Sequence, residues 1–195
     1  YGLCCEFAAL QQGGWATALN LFATQPLVRT MATSTWLSLV YADKRIYSRL
    51  PATIVSDHSG ASWTPGLNGD WQDHWGGAPA RSNWSVQATL GRMNYARSPD
   101  LASDAATAVA QGNYRKISAS VSRMQKLGED WTLGVTVRTQ YADKNLHSSE
   151  KFILGGSSGV RAYPVGEGVG DEGLMVNIDL QRQVAELLGQ TELAA

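Results

Sequence analysis

A glycine-rich stretch matches a pattern known from serine hydrolases. Gly155-Gly156-Ser157-Ser158-Gly159 fits G-x-S-x-G, the strand-to-helix turn that exposes a nucleophilic serine. That motif needs a helix directly after it, and then an Asp and a His in order. Here Pro164 follows, and the last histidine of the chain is His147. The pattern therefore predicts no hydrolase, and we assign no catalytic residue.

Other groups that could bind a cofactor have the wrong spacing. Residues 166–170 resemble a phosphate-binding loop but lack the Lys-Ser/Thr pair that would hold a nucleotide. His58, His74 and His147 are scattered without metal-ligand spacing, so we interpret them as loop residues. We expect no metal, no nucleotide and no cofactor.

Composition excludes several further classes of protein. The 195 residues carry 16 Lys+Arg and 17 Asp+Glu, and a net charge of −1 gives no basic surface for nucleic acid. Two cysteines cannot build a disulfide scaffold. Because no apolar run reaches about 18 residues, the sequence predicts no transmembrane helix. A transmembrane β-barrel stays open, since its short strands only alternate.

Period-two alternation of apolar and polar residues dominates the chain. Trp131, Leu133 and Val135 share one face of a predicted strand, and Thr132, Gly134 and Thr136 share the other. Eight segments show this pattern, and they lie near residues 5–10, 18–24, 36–42, 67–72, 84–91, 117–122, 131–141 and 174–181. We predict short turns at residues 12–14 and 127–130, and long loops at 96–112 and 148–173.

The polar faces consist mainly of small uncharged side chains, which is typical of a crowded barrel lumen. Trp131 and Tyr141 lie ten residues apart on one apolar face, a span of roughly 25 Å along a tilted strand, the height of an outer-membrane apolar band. A soluble β-sandwich shows the same alternation and stays an alternative. The predicted lumen wall comprises Ser85, Gln87, Thr89, Ser118, Ser120, Ser122, Thr132 and Thr136.

The most informative segment is the second long loop. Residues 149–173 read SEKFILGGSSGVRAYPVGEGVGDEG. This run closely resembles the motif loop of two-partner secretion transporters, the ShlB/FhaC/HecB haemolysin secretion/activation family, and weaker likeness extends upstream. The matching positions are Lys151, Phe152, Leu154, Gly155, Gly156, Gly159, Val160, Arg161, Ala162, Tyr163, Pro164, Gly166, Glu167, Gly170, Asp171 and Gly173.

The resemblance implies an all-β fold, a transmembrane antiparallel barrel of sixteen strands in the bacterial outer membrane. This chain would supply about eight of those strands and a Gly-rich loop folded into the lumen. We expect residues 1–195 to be a fragment of that barrel domain, without the two POTRA domains and the last strands. The implied partners are a secreted exoprotein and outer-membrane lipid, with no catalysis.

The resemblance also implies a role for Arg161. In the family, the motif arginine pairs with an acidic residue on the inner barrel wall, and here that partner is expected beyond residue 195. A guanidinium in a partly dry lumen suits this role because its rigid fork binds a carboxylate through two hydrogen bonds.

The implied function is the export of a large exoprotein of the haemolysin, haemagglutinin or adhesin type. Ala162 stands where the related BamA-like insertases have Gly, so insertion of other barrels is a weaker alternative. A passive porin would have no use for a Val160-Arg161-Ala162-Tyr163 loop.

Overall fold

Long antiparallel strands make up most of the chain. The computed structural model describes residues 13–50, 53–95, 97–156, 159 and 168–183. The main sheet contains seven strands in the order β1-β2-β3-β4-β5-β6-β9, so chain neighbours are paired throughout. Their bounds are β1 Gly13–Arg29, β2 Thr33–Leu50, β3 Thr53–Asp73, β4 Ala80–Asn94, β5 Gly112–Lys126, β6 Trp131–Ala142 and β9 Gly173–Arg182.

Seven of the eight predicted strands are confirmed, and the segment at residues 5–10 lies outside the described residues. The turn predicted at residues 12–14 is wrong, because Gly13 and Gly14 begin β1 and pair with Arg49 and Ser48 of β2. A Cβ at Gly14 would lie 2.6 Å from the carbonyl oxygen of Tyr47. This glycine permits close approach of two backbones rather than a turn.

The two faces of the sheet differ in exposure. On β9 the apolar side chains of Leu174, Val176, Ile178 and Leu180 are 52–69% exposed, whereas Met175, which points to the opposite side, is 3% exposed. We call the first side the apolar face, and the second the polar face. A soluble sandwich buries its apolar face against a second sheet. Among the described residues nothing covers the apolar face, which agrees with a partial β-barrel rather than a sandwich.

The connections at one end of the sheet are all short, and the two longest connections lie at the other end. Residues 30–32, 74–79 and 127–130 form the turn end, and a 3-10 turn at Trp75–Gly77 lies among them. At the loop end, residues 95–111 carry helix α1, Leu101–Ala106, and residues 143–172 form what we call the long loop. The turns at one end are short as predicted, and two of the three connections at the loop end are long, but only two residues separate β2 from β3 at that end. None of the described helices is both long and apolar enough to cross a membrane.

The described hydrophobic core is small and lies at the loop end. Its buried members come from β4, β5, β6 and their connections: Met93, Tyr95, Ala110, Tyr114, Ala142 and Leu146. Leu101 of α1 packs against it. The core therefore packs both long connections against the loop end of the polar face and positions the start of the long loop.

Candidate functional site: the long loop on the polar face

The long loop returns across the polar face of the sheet. After β6 it forms a 3-10 turn at Ser148–Glu150 and then strand β7, Phe152–Ile153. β7 pairs with β8, Val169–Gly170, just before the chain enters β9. This small hairpin gives the loop its own backbone hydrogen bonds, so its edges need no pairing with the main sheet.

Glu150 is held between two lysines of the polar face. Lys44 of β2 forms an ion pair with Oε1 of Glu150, and Lys116 Nζ of β5 lies 2.8 Å from Oε2. The three side chains are only 13–19% exposed, so solvent screens these pairs weakly. Two strands, β3 and β4, separate the strands that carry the lysines. We call these three residues the Glu150 cluster.

The charge of Glu150 is stabilised by its lysines. Burial alone would raise the pKa of this carboxyl group, but hydrogen bonds and charge attraction from Lys116 and Lys44 outweigh burial and lower it. Glu150 is therefore ionised at neutral pH. Because a buried carboxylate is costly without cations beside it, the two lysines favour this position of the loop on the sheet.

Backbone atoms of the loop are bound by polar side chains on either side. Gln140 Nε2 of β6 donates to the carbonyl oxygens of Glu150, at 3.2 Å, and Asp171, at 3.1 Å. Asp171 Oδ1 in turn accepts from the backbone N–H of Leu146 at 2.7 Å. Lys151 Nζ lies 3.2 Å from the same carboxylate. Both ends of the long loop are thus tied together beside β6.

Phe152 fills the space beneath the hairpin. Its side chain is 6% exposed, and the guanidinium carbon of Arg138 lies 5.9 Å from the ring centre. A Cβ at Gly173 would overlap the Phe152 ring, so this glycine provides the room for the ring. Further along the loop, Asn177 of β9 donates to the carbonyl oxygen of Gly159 at 3.3 Å.

The structure places only part of the predicted motif. Gly155, Gly156, Gly170 and Asp171 belong to the loop just described, and Gly173 begins β9. Gly156 has a φ of 98°, a backbone conformation that favours glycine. The remaining predicted motif residues lie outside the described residues: Val160, Arg161, Ala162, Tyr163 and Pro164.

The predicted wall residues lie on β4, β5 and β6, on the side to which Glu150 is bound. Ser85 and Ser120 face each other across β4 and β5 with their hydroxyl oxygens 2.8 Å apart. Thr89 is 6% exposed, and its hydroxyl lies 3.1 Å from that of Thr64. The other wall residues occupy register positions on these strands: Gln87, Ser118, Ser122, Thr132 and Thr136.

Sequence reasoning missed the Glu150 cluster and misplaced one of the three histidines. A usable signal existed, because Lys44 and Lys116 stand among otherwise small, mostly uncharged residues of the polar face. His58 is a strand residue, not a loop residue, and it is buried. Its Nδ1 lies 3.1 Å from Nε2 of His147, which does lie in the long loop. His74, at the turn end, is an exposed loop residue as predicted.

The described part of the site is a hydrogen-bonding surface. In the part of the chain that the structure describes, no group of three His, Cys, Asp or Glu side chains is placed to hold a metal ion. The polar face instead presents hydroxyl and amide groups around a tethered loop. Such a surface provides many weak hydrogen bonds, and its ion pairs hold the loop itself.

The chain is similar to known proteins in both sequence and fold. A family model described as "Haemolysin secretion/activation protein ShlB/FhaC/HecB" matches residues 5–195. Among curated proteins, the heme/hemopexin transporter protein HuxB of Haemophilus influenzae is 24% identical over 182 residues, covering 93% of this chain and 32% of HuxB. The chain thus spans about a third of the length of the curated relatives it matches.

Two solved structures share the fold. CdiB from Escherichia coli superposes with a TM-score of 0.72 at 19% identity, covering 87% of this chain and 31% of CdiB. CdiB from Acinetobacter baumannii gives 0.67 at 17% identity, covering 89% of this chain and 30% of that protein. At these identities the likeness concerns the fold alone.

Proposed function

Because the chain belongs to the haemolysin secretion/activation family ShlB/FhaC/HecB, we propose that it forms part of a translocator that exports a large protein across the bacterial outer membrane. The family consists of two-partner secretion transporters, which work with a secreted partner protein. The cargo proposed here is an exoprotein of the haemolysin, haemagglutinin or adhesin type. The exposed apolar face would contact lipid, and the process would involve no covalent chemistry.

The observation that best supports this proposal is the long loop tethered across the polar face. In a closed barrel this face would line the lumen, so the loop would lie in the path of the cargo. A passive pore has no need for a loop bound by two buried ion pairs. A translocator must stay closed between transport events, and a loop held in this way can be displaced and then bind again.

The polar wall suits a passing chain. Ser85, Ser118 and Ser120 offer hydroxyl groups that exchange partners easily, and transport requires binding that is weak enough to be released. We propose that the cargo makes diffuse contacts along this wall. Single alanine substitutions such as Ser120→Ala should then leave export nearly unchanged. A complete block of secretion by one of them would contradict diffuse contacts.

The motif arginine provides the direct test of the loop's role. We propose that Arg161 anchors the loop tip to an acidic wall residue. In the complete gene product, Arg161→Ala should still reach the membrane as a heat-modifiable barrel, but it should secrete the partner protein poorly. Arg81→Ala, which removes an exposed arginine on β4, is the matched control and should secrete normally. Normal secretion by Arg161→Ala would refute the proposed role of the loop.

The gene neighbourhood distinguishes export from the insertion of other barrels. We propose that two POTRA domains precede the barrel and that a large exoprotein gene lies beside this one. Several POTRA repeats without an exoprotein gene would instead favour an insertase. Sequencing the flanking DNA therefore decides between the two functions before any protein is made.

A further inference from the structure

Two buried histidines meet where the long loop leaves the sheet. His58 of β3 and His147 of the long loop are 7% and 9% exposed, and their rings are 3.1 Å apart, from Nδ1 of His58 to Nε2 of His147. The ring of Tyr95 stacks on His58 with a centroid distance of 3.9 Å. Three parts of the chain that are distant in sequence converge here, and the Ser149 hydroxyl links His147 to Lys44 of the Glu150 cluster.

The backbone determines which nitrogen of His147 carries a proton. The N–H of Ser149 donates to Nδ1 of His147 at 3.2 Å, so this nitrogen is an acceptor and carries no proton. A neutral His147 therefore has its proton on Nε2 and donates it to Nδ1 of His58. His147 also caps the 3-10 turn that carries Glu150, so its orientation determines where Glu150 lies.

The hydrogen bonds on both sides of the pair have a defined direction as well. Because Nδ1 of His58 accepts, its Nε2 carries the proton and donates to the carboxylate of Asp100 at 3.1 Å. The hydroxyl of Ser98 also binds Asp100. On the other side, Lys44 Nζ donates to the Ser149 hydroxyl at 2.6 Å, and that hydroxyl donates to Nδ1 of His147 at 2.8 Å. We call this ordered series the histidine chain.

The histidine chain has no place for an additional proton. A proton on Nδ1 of His58 would face the N–H of His147, and a proton on Nδ1 of His147 would face the N–H of Ser149. Either one turns a hydrogen bond into a contact between two donors, and a charged imidazole is costly in so buried a position.

We propose that His147, hydrogen-bonded to His58, is a positioning residue that holds the start of the long loop on the sheet only while it is neutral, so that mild acid releases the loop. The release would free the 3-10 turn and draw Glu150 away from Lys44 and Lys116. This property belongs to the loop itself, and testing it requires no cargo.

The electrostatic surroundings support this proposal. Burial lowers the pKa of His147 to about 4 from its ordinary value of 6.5, and repulsion by any charge on His58 and by Lys44 acts in the same direction. The pKa of Glu150 is lowered from its ordinary 4.5 by Lys116 and Lys44 against the effect of burial, so Glu150 is ionised at pH 5 and above. The titratable and charged groups around the pair are Lys44 and Arg45 of β2, Asp57 of β3, Tyr95, Arg97 and Asp100 of the β4–β5 connection, Tyr114 and Lys116 of β5, and Glu150.

Proton linkage determines how the stability of the held loop changes with pH. The held loop favours neutral His147, so its stabilisation is complete above pH 6.5 and is lost as the pH falls from 6.5 towards 4. If a released His147 has its ordinary pKa, the ratio of released to held loop rises about 30-fold between roughly pH 7.5 and pH 5. Glu150 would begin to contribute only at lower pH.

Hydrogen exchange on the complete gene product in lipid nanodiscs tests the proposal. Protection factors of the amides of residues 146–153, corrected for the intrinsic pH dependence of exchange, report the released fraction. The wild type should lose protection about 30-fold between pH 7.5 and pH 5. His147→Asn keeps an acceptor for the Ser149 N–H but cannot be protonated, so its protection should not change over this range. His74→Asn, which changes an exposed histidine, should behave like the wild type.

Two results would overturn the proposal. One is an equal loss of protection in the wild type and in His147→Asn, and the other is no loss in the wild type. A second measurement remains informative if the substitution harms folding. Nitrogen-15 NMR of labelled histidines should show His58 and His147 both protonated on Nε2 at pH 7.5, and an Nδ1-protonated form of either would refute the histidine chain.

Discussion

Neutralising Glu150 should loosen the long loop. Glu150→Gln keeps the shape and one acceptor but leaves Lys44 and Lys116 without their counter-charge, at side-chain exposures of 19% and 15%. Removing one partner of a buried ion pair costs about 3–5 kcal/mol, and the retained amide oxygen should reduce this to about 2–3 kcal/mol. That cost corresponds to about a 30- to 150-fold rise in the released fraction of the loop.

Amide exchange of residues 146–153 at pH 7.5 measures this fraction, since His147 is then neutral and does not contribute. Glu172→Gln is the matched control, because Glu172 lies in the same loop but is exposed, and its exchange should equal that of the wild type. Lys116→Met alone should cost less than Glu150→Gln, because Lys44 still pairs with Glu150.

The double variant completes a mutant cycle. With Glu150→Gln and Lys116→Met together, one uncompensated charge disappears, so the combined cost should fall short of the sum of the two single costs by about 1 kcal/mol or more. Additive costs would mean that the two residues do not interact. A Glu150→Gln variant whose loop exchanges within about threefold of the wild type would refute the argument for a buried clamp.

Two further predictions each have a neighbouring control. Gly173→Ala would push a methyl group into the Phe152 ring and should destabilise the loop by about 1–3 kcal/mol in the same exchange measurement. Gly134→Ala is the control and should be tolerated, because a Cβ at Gly134 meets its nearest atom at 3.7 Å. Val121→Lys on the apolar face should cost about 2–4 kcal/mol and reduce the folded, heat-modifiable fraction on gels. Ser122→Lys on the polar face should fold normally. Equal behaviour of these two variants would contradict the assignment of the faces.

Much of the fold was predictable because alternation is a local property. Trp131 and Leu133 point to one side of β6 whatever the rest of the chain does, since successive side chains of a strand alternate. The turn predicted at Gly13-Gly14 failed because a glycine in a tightly paired strand has the same local signature as a glycine in a turn. Telling the two apart requires knowledge of β2, which passes close by.

The sequence by itself determined the strands, the uneven connections and the motif that revealed the family. Only the tertiary structure decided which side of the sheet is covered, because alternation is identical for a sandwich and a barrel. It alone placed Glu150 between Lys44 and Lys116, and His58 against His147, across separations of 106, 34 and 89 residues. Ion pairs and hydrogen bonds depend on distances between atoms, and the sequence pattern does not contain those distances until the strands are paired in register.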